Sequence, residues 1–241
     1  MGALRRRGED RAAYVRALFT GVADSYDLLN SLLSLGRDRA WRRFTASRAA
    51  VGPGVLALDV ATGTAELARH LARQNGGSTV VGIDFCPGML EKARTKLDAS
   101  SDGKGIELVL GDVLQLPFPE NTFDCVTIGF GLRNVADIIV ALQEMARVVK
   151  PGGKVVSLEL TRPSSSLARA VHTFCLFRIV PHFGWLISGS REAYTYLPES
   201  IMGFPSPVEV QEIMQKAGIQ KVETYSLTFG IATVHAGIKE N

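Results

Sequence analysis

Between residues 55 and 160 the chain alternates short apolar runs with amphipathic stretches, and few folds accept that pattern. "VLALDV" (55–60), "TVVGID" (79–84), "IELVLGD" (106–112), "FDCVTIGF" (123–130) and "KVVSLEL" (154–160) read as strands. "AELARHLARQ" (65–74), "PGMLEKARTKL" (87–97) and "VADIIVALQEMARVV" (135–149) read as the helices that join them, and "PGG" (151–153) turns the chain into the fifth strand. Strands apolar on both faces and linked by helices imply a parallel, doubly wound α/β sheet.

The flanking segments are of other kinds. Residues 9–48 read as a helical cover, in which "ADSYDLLNSLLSLG" offers Asp24 as a cap, leucines at helical spacing and Gly36 as a stop. Residues 164–205 break the alternation; they are aromatic-rich, contain prolines and read as a lid inserted for substrate. "SPVEVQEIMQKAG" (206–218) is a capped helix, and "QKVETYSLT" (220–228) and "IATVHAGIK" (231–239) are closing strands. The gap between these two is that of a hairpin, so the last strand runs antiparallel to its neighbour. With 241 residues and no internal repeat, 1–241 reads as one domain.

Ligands of such sheets sit outside the carboxyl ends of the strands, where strand order reverses. Three successive strand ends carry acids: Asp59, Asp84 and Asp112. A lone aspartate there is usually a helix cap; three in succession point to a ligand. Asp84 follows Gly63 by 21 residues, the spacing at which a carboxylate meets the ribose hydroxyls of an adenosine cofactor. Gly63 is the only glycine between Asp59 and His70, and Ala65 stands where a pyrophosphate would need a glycine. An adenosyl cofactor without phosphates needs no such cradle, so the turn argues for S-adenosylmethionine over a dinucleotide.

The fourth strand ends in "GFGLRN" (129–134), which makes Arg133 and Asn134 candidates for catalysis. Arg133 could stabilise a developing anion or orient a water, but a guanidinium is a poor base. The plainer alternative is that Arg133 pairs with Asp137 or Glu159 and holds the loop. In the lid, Tyr194, Tyr196, His172 and His182 are candidate substrate contacts, against the plainer reading of core residues with one satisfied hydrogen bond. The apolar residues of 167–204 suit a channel for a greasy tail.

Charge and cysteine content bound the rest. The net charge is +3, with Arg5, Arg6, Arg7, Arg11 and Arg16 clustered at the start and Arg37, Arg39, Arg42, Arg43 and Arg48 following. Such clusters suit an anionic membrane surface or a solvated helix face. No nucleic-acid partner is expected. Cys86, Cys125 and Cys175 are widely spaced, form no CxxC and suggest reduced thiols rather than a metal site. The expected location is cytoplasmic, with at most a peripheral contact to membrane; a homodimer is compatible with the sequence.

Taken together, "FTGVADSYDLLNSLLSLGRDRAWRRF", "LDVATGTAEL", "LPFPENTFDCVTIGFGLRNV", "ARVVKPGGKVVSLEL", "YTYLPESI" and "LTFGIATVHAG" resemble the menaquinone and ubiquinone biosynthesis C-methyltransferases, class I S-adenosylmethionine-dependent enzymes. The resemblance runs from about Phe19 to Gly237. It implies a seven-stranded sheet of order 3-2-1-4-5-7-6. It implies that Asp84 holds the cofactor ribose, Asp112 and Val113 the adenine, and Gly63 and Thr64 the methionine portion, with Tyr26 in the cover. It further implies methyl transfer to a ring carbon of a prenylated quinol, demethylmenaquinol first. A benzoquinol, another lipid-like acceptor, or a non-catalytic subunit of a quinone-biosynthesis complex are the alternatives. Ala65 and Glu66 stand where the commonest family pattern has Gly-Asp, and Gly129 where some members have a serine.

Overall fold

The structure, a computed structural model, describes residues 9–49, 54–74, 79–100, 103–180 and 191–240. The alternating strands become β1 Leu56–Val60, β2 Thr79–Asp84, β3 Ile106–Leu110, β4 Phe123–Gly129 and β5 Val149–Leu160, and the closing pair become β6 Ile219–Leu227 and β7 Ala232–Lys239. They form one sheet in the order β3-β2-β1-β4-β5-β7-β6. Strands β1 to β5 pair in parallel, while β7 runs antiparallel to both β5 and β6. The sheet class is the one the alternating pattern indicated, and the order is the one the family resemblance implied. Order reverses between β1 and β4, which opens a crevice above their carboxyl ends.

The helices are α1 Glu9–Val22, α2 Tyr26–Leu33, α3 Arg37–Ala49, α4 Glu66–Gln74, α5 Pro87–Asp98, α6 Ile138–Val148, α7 Ser166–Phe174, α8 Arg191–Gly203 and α9 Pro207–Lys216. One face of the sheet packs on α6 and α9 through Leu58, Val126, Leu142, Met145 and Met214. The other packs on α3, α4 and α5 through Trp41, Leu67, Leu71, Leu97 and Val156. Ala57, Leu58, Cys125 and Val126 have no exposed surface, as a sheet covered on both faces requires. Each large side chain so buried contributes about 1.5–3 kcal/mol.

The cover is three helices, and the chain leaves α2 through Gly36, which takes φ +74, as the sequence indicated. Several boundaries differ from expectation, each for a local reason. Asp24 does not cap α2: Ser25 holds the N-cap position and the Asp24 carboxylate pairs with Lys92 on α5. The helix expected over 135–149 begins at Ile138, because the Asp137 side chain accepts from the N–H groups of Ile139 (3.1 Å) and Val140 (3.2 Å). Leu132–Asn134 forms a separate 3₁₀ turn. The described part of the insertion at 164–205 is largely helical, with α7 running into a π turn over Cys175–Ile179. His182 and Arg5, Arg6 and Arg7 lie outside the described residues.

Asp137→Ala removes two capping bonds from α6 and is expected to cost about 1 kcal/mol in chemical denaturation. Unchanged stability would show that the cap does not set where α6 starts.

Candidate functional site

The turn after β1 takes its shape from three residues of left-handed backbone: Ala61 (φ 50), Gly63 (φ 56) and Ala65 (φ 64). Such φ values disfavour a Cβ, so alanine at positions 61 and 65 is held by its surroundings. Ala65 has no exposed surface and packs among Leu67, Ala68 and Val80. For Ala65→Gly, relief of about 1 kcal/mol in the backbone roughly offsets the buried methyl lost.

The turn brings the Gly63 N–H to the end of β2, where it donates to Asp84 Oδ2 at 2.8 Å. The Cys86 N–H donates to Asp84 Oδ1 at 2.9 Å. Backbone donors thus orient the carboxylate and leave it capacity to accept from a ligand. Burial pushes the Asp84 pKa up, against the N–H groups of Cys86, Gly63 and Phe85, which favour the anion. Asp84 forms the polar floor of a cleft with mainly apolar walls: Val60, Ile83, Met89 and Leu114 on one side, Phe19 and Tyr26 from the cover on the other.

Asp112 and Val113, just past β3, lie on the same wall, where Asp112 Oδ1 accepts from the Leu114 N–H at 2.9 Å. Gly129 and Gly131 border the cleft with backbone alone; a Cβ at Gly131 would come within 2.6 Å of the Ala61 Cβ. Gly63, Asp84, Asp112, Val113 and Tyr26 are therefore brought together as the sequence indicated, and Asn134 joins them.

Asp59 and Thr64 are not on this wall. Asp59 is buried beneath the turn, accepting from the hydroxyls of Thr62 and Thr127, both at 2.7 Å. Burial pushes its pKa up to about 6 against those donors. Thr64 turns to the cover, donating to Asp27 Oδ1 at 2.6 Å. Lys96 Nζ then bridges Asp27 Oδ2 (2.6 Å) and Glu66 Oε1 (2.5 Å). Burial alone would raise the Glu66 pKa, but Lys96, helped by Arg69 and Arg42, more than offsets it and holds the carboxyl below its usual range. Helix α2 is thus clamped to the turn and to α5. Asp27 and Lys96 carry this clamp, and no local pattern marked them; the only signal was the Tyr26–Asp27 pair within the family resemblance.

Arg133 takes the partner that its plainer reading offered. Its Nη1 donates to Glu159 Oε1 at 2.5 Å and to the Phe130 carbonyl at 2.6 Å, and its N–H donates to Glu159 Oε2 at 3.0 Å. Burial opposes the guanidinium charge, yet Glu159, with Tyr26 and Tyr196 nearby, holds it above its ordinary pKa. The buried Nε has no hydrogen-bond partner. Asn134 Nδ2 donates to the same Phe130 carbonyl at 3.2 Å, and its Oδ1 accepts from the Tyr196 hydroxyl at 3.1 Å. Tyr196 therefore reaches the site through Asn134 and is not on the cleft wall. Tyr194 is buried with Leu29, Leu176 and Ile201 beneath the lid. His172 sits half-buried on α7, where burial holds its pKa down, and it does not line the cleft. Four apolar lid residues, Leu167, Val171, Phe174 and Phe177, point outward rather than into a channel.

The fold and the cleft together define a class I methyltransferase: this strand order with β7 reversed, and a carboxylate ending β2 beside a turn that lacks a phosphate cradle. A methyltransferase from Aquifex aeolicus, described as S-adenosylmethionine-dependent, superposes with a TM-score of 0.64 at 19% identity, over 88% of this chain and 97% of that one. One from Thermotoga maritima superposes with a TM-score of 0.65 at 18% identity, over 93% and 99%. These likenesses concern the fold. The chain belongs to the ubiE/COQ5 methyltransferase family, whose sequence pattern matches residues 7–239. A demethylmenaquinone methyltransferase of Deinococcus radiodurans is 43% identical over 96% of this chain and 95% of that one. A ubiquinone/menaquinone biosynthesis C-methyltransferase of a Geobacter species is 42% identical over 99% and 100%.

The buried Asp59 makes stability depend on pH. The folded protein holds this proton to higher pH than the unfolded chain does, so stability falls as pH rises from the ordinary carboxylate range through about 6. The full penalty above that range is about 3 kcal/mol. Asp59→Asn should match the wild type in urea denaturation near about pH 4 and exceed it at neutral pH. A difference that does not grow with pH would contradict the assignment.

Proposed function

We propose that the protein transfers a methyl group from S-adenosylmethionine to a ring carbon of a prenylated quinol, with a demethylmenaquinol-type naphthoquinol as the acceptor. The observation that carries this reading is the joining of two sites at one loop. Asn134 lies on the cleft that holds Asp84 and Asp112, and the adjacent Arg133 lines a second hollow that shares Val135 and Ala136 with the first.

The cleft suits the cofactor. The remaining acceptor capacity of Asp84 matches a pair of ribose hydroxyls, Asp112 matches an exocyclic amino group, and Ile83, Met89 and Val113 suit the flat faces of an adenine. Gly63 lets the methionine portion approach the backbone, while Thr64 and Asp59 act from behind by holding the turn. When bound, the cofactor supplies an electrophilic methyl group.

The protein's task is then to position the acceptor and stabilise its anion. Loss of a hydroxyl proton to water makes the neighbouring ring carbon nucleophilic, and that carbon's own proton leaves as the aromatic ring is restored. Arg133, kept charged by Glu159, is suited to favouring the phenolate, and its free Nε has a hydrogen bond to give. Asn134, steadied by Tyr196, holds a polar contact at the boundary of the two sites. Alignment of carbon and methyl supplies much of the acceleration. A benzoquinol acceptor is the second reading, favoured by the Geobacter relative's name, which spans both quinones. Turnover of demethylated naphthoquinol and benzoquinol precursors, offered side by side, decides between them; methylation of neither would refute the reading.

Asp84→Ala should raise the dissociation constant for S-adenosylmethionine about 100-fold or more in calorimetry, because two charge-assisted bonds are lost. In the wild type, affinity should weaken on acidification from a pH above the ordinary aspartate range. Normal affinity in the variant would remove Asp84 from the site. Arg133→Ala strands a buried carboxylate and risks unfolding. Arg133→Lys retains the charge and should bind cofactor normally, with kcat down about tenfold or more. Unchanged kcat at saturating quinol would take Arg133 out of the mechanism.

A further inference from the structure

Ten large apolar side chains are strongly exposed among the described residues, and seven of them sit on two neighbouring segments of the cover and lid. Leu28 and Leu32 follow one another at a helical turn's spacing on α2, and Leu35 continues their row just beyond its end. Leu167, Val171 and Phe174 form a second such row on α7, extended by Phe177 in the π turn. These seven side chains are between 44% and 88% exposed. A clustered apolar surface on a soluble fold marks a contact surface.

The two rows belong together. The inward faces of the same segments, Leu29 and Leu33 of α2 with Leu176 and Val180 beyond α7, pack into one cluster. Tyr26 and Phe19 edge that cluster and also line the cofactor cleft. One thin layer therefore has the cleft on one side and an exposed apolar face on the other.

Beside these rows the acids at the start of α2, Asp24 and Asp27, are paired with Lys92 and Lys96, and the remaining exposed charge is basic. Between residues 28 and 43 the only acid is Asp38, which is buried and takes the Ser34 hydroxyl at 3.0 Å. Between 164 and 180 there is no acid. Arg37, Arg39, Arg43, Arg169 and Arg178 are all exposed in these stretches. Apolar rows flanked by arginines are complementary to an anionic bilayer surface, where the apolar groups enter the acyl boundary and the cations meet phosphates. No helix among the described residues is long and apolar enough to cross a membrane, so such a contact would be peripheral.

We infer that the outer face of α2, α7 and the π turn docks the protein on an anionic lipid surface, with the cleft directly behind it. The inference rests on the prenylated-quinol reading, because an acceptor dissolved in the bilayer gives this face its use. It also assigns a role to the apolar lid residues that point outward.

Flotation with phosphatidylcholine vesicles, with and without phosphatidylglycerol, tests the inference. The wild type should float with the anionic vesicles, less as salt is raised. Phe174→Ser/Phe177→Ser and Leu28→Ser/Leu32→Ser should each partition about tenfold less or weaker still. Both should keep wild-type cofactor affinity and turnover of a short-tailed, water-soluble quinol. Variants that float like the wild type would overturn the proposal. So would a wild-type dimer that the substitutions dissociate while vesicle binding stays unchanged, since the face would then join two copies of the chain. Vesicle binding that follows the prediction in a protein unable to methylate any quinol would count against the proposed reaction alone.

Discussion

The buried pair of Arg133 and Glu159 is the constraint on which the site depends. Two ions out of water cost several kcal/mol each unless their hydrogen bonds are met. Here Glu159 accepts from the Arg133 side chain, the Arg133 N–H and the Leu160 N–H. Arg133 Nη1 also donates to the Phe130 carbonyl, and Arg11 of α1 donates to the Arg133 carbonyl at 3.2 Å. The pair thus joins the loop after β4, the end of β5 and the first helix of the cover. An arginine held so firmly above its ordinary pKa is a fixed positive charge, suited to stabilising an anion and unsuited to taking a proton. The structural and catalytic readings of Arg133 are therefore compatible: pairing with Glu159 is what positions the charge.

A second network acts on the cofactor side. The Asp84 carboxylate is set by backbone donors from the turn and from the start of α5, so its orientation does not depend on mobile side chains. Behind it, Thr64, Asp27, Lys96 and Glu66 tie the cover to the turn. These bonds are only partly buried and link elements far apart in sequence, so they can open more readily than the sheet beneath them.

The sheet was legible because its signal is local: β2 occupies the residues its apolar run marked, and strands buried on both faces carry no polar alternation to misread. Glycine and proline punctuation located most helices to within a few residues. Side-chain direction was less legible. Asp59 looks like a strand-end ligand, yet its neighbours Leu58 and Val60 pack toward α6, so Asp59 points the other way, under the turn. Asp24 was misassigned because its partner, Lys92, is distant in the chain, and the bond from Thr64 to Asp27 was hidden for the same reason. For Arg133 the sequence offered two acids; Asp137 is engaged in capping α6, which leaves Glu159. Family resemblance supplied the nature of the acceptor, which no residue pattern contains.

In the proposed function, one loop joins a cofactor cleft to a site that makes a quinol ring carbon nucleophilic. The most direct measurement uses S-adenosylmethionine labelled in its methyl group, a prenylated demethylnaphthoquinol, and nuclear magnetic resonance of the extracted product. The label is expected on a ring carbon, with both quinol oxygens unmethylated. Label on an oxygen, or none transferred while the cofactor binds normally, would contradict it.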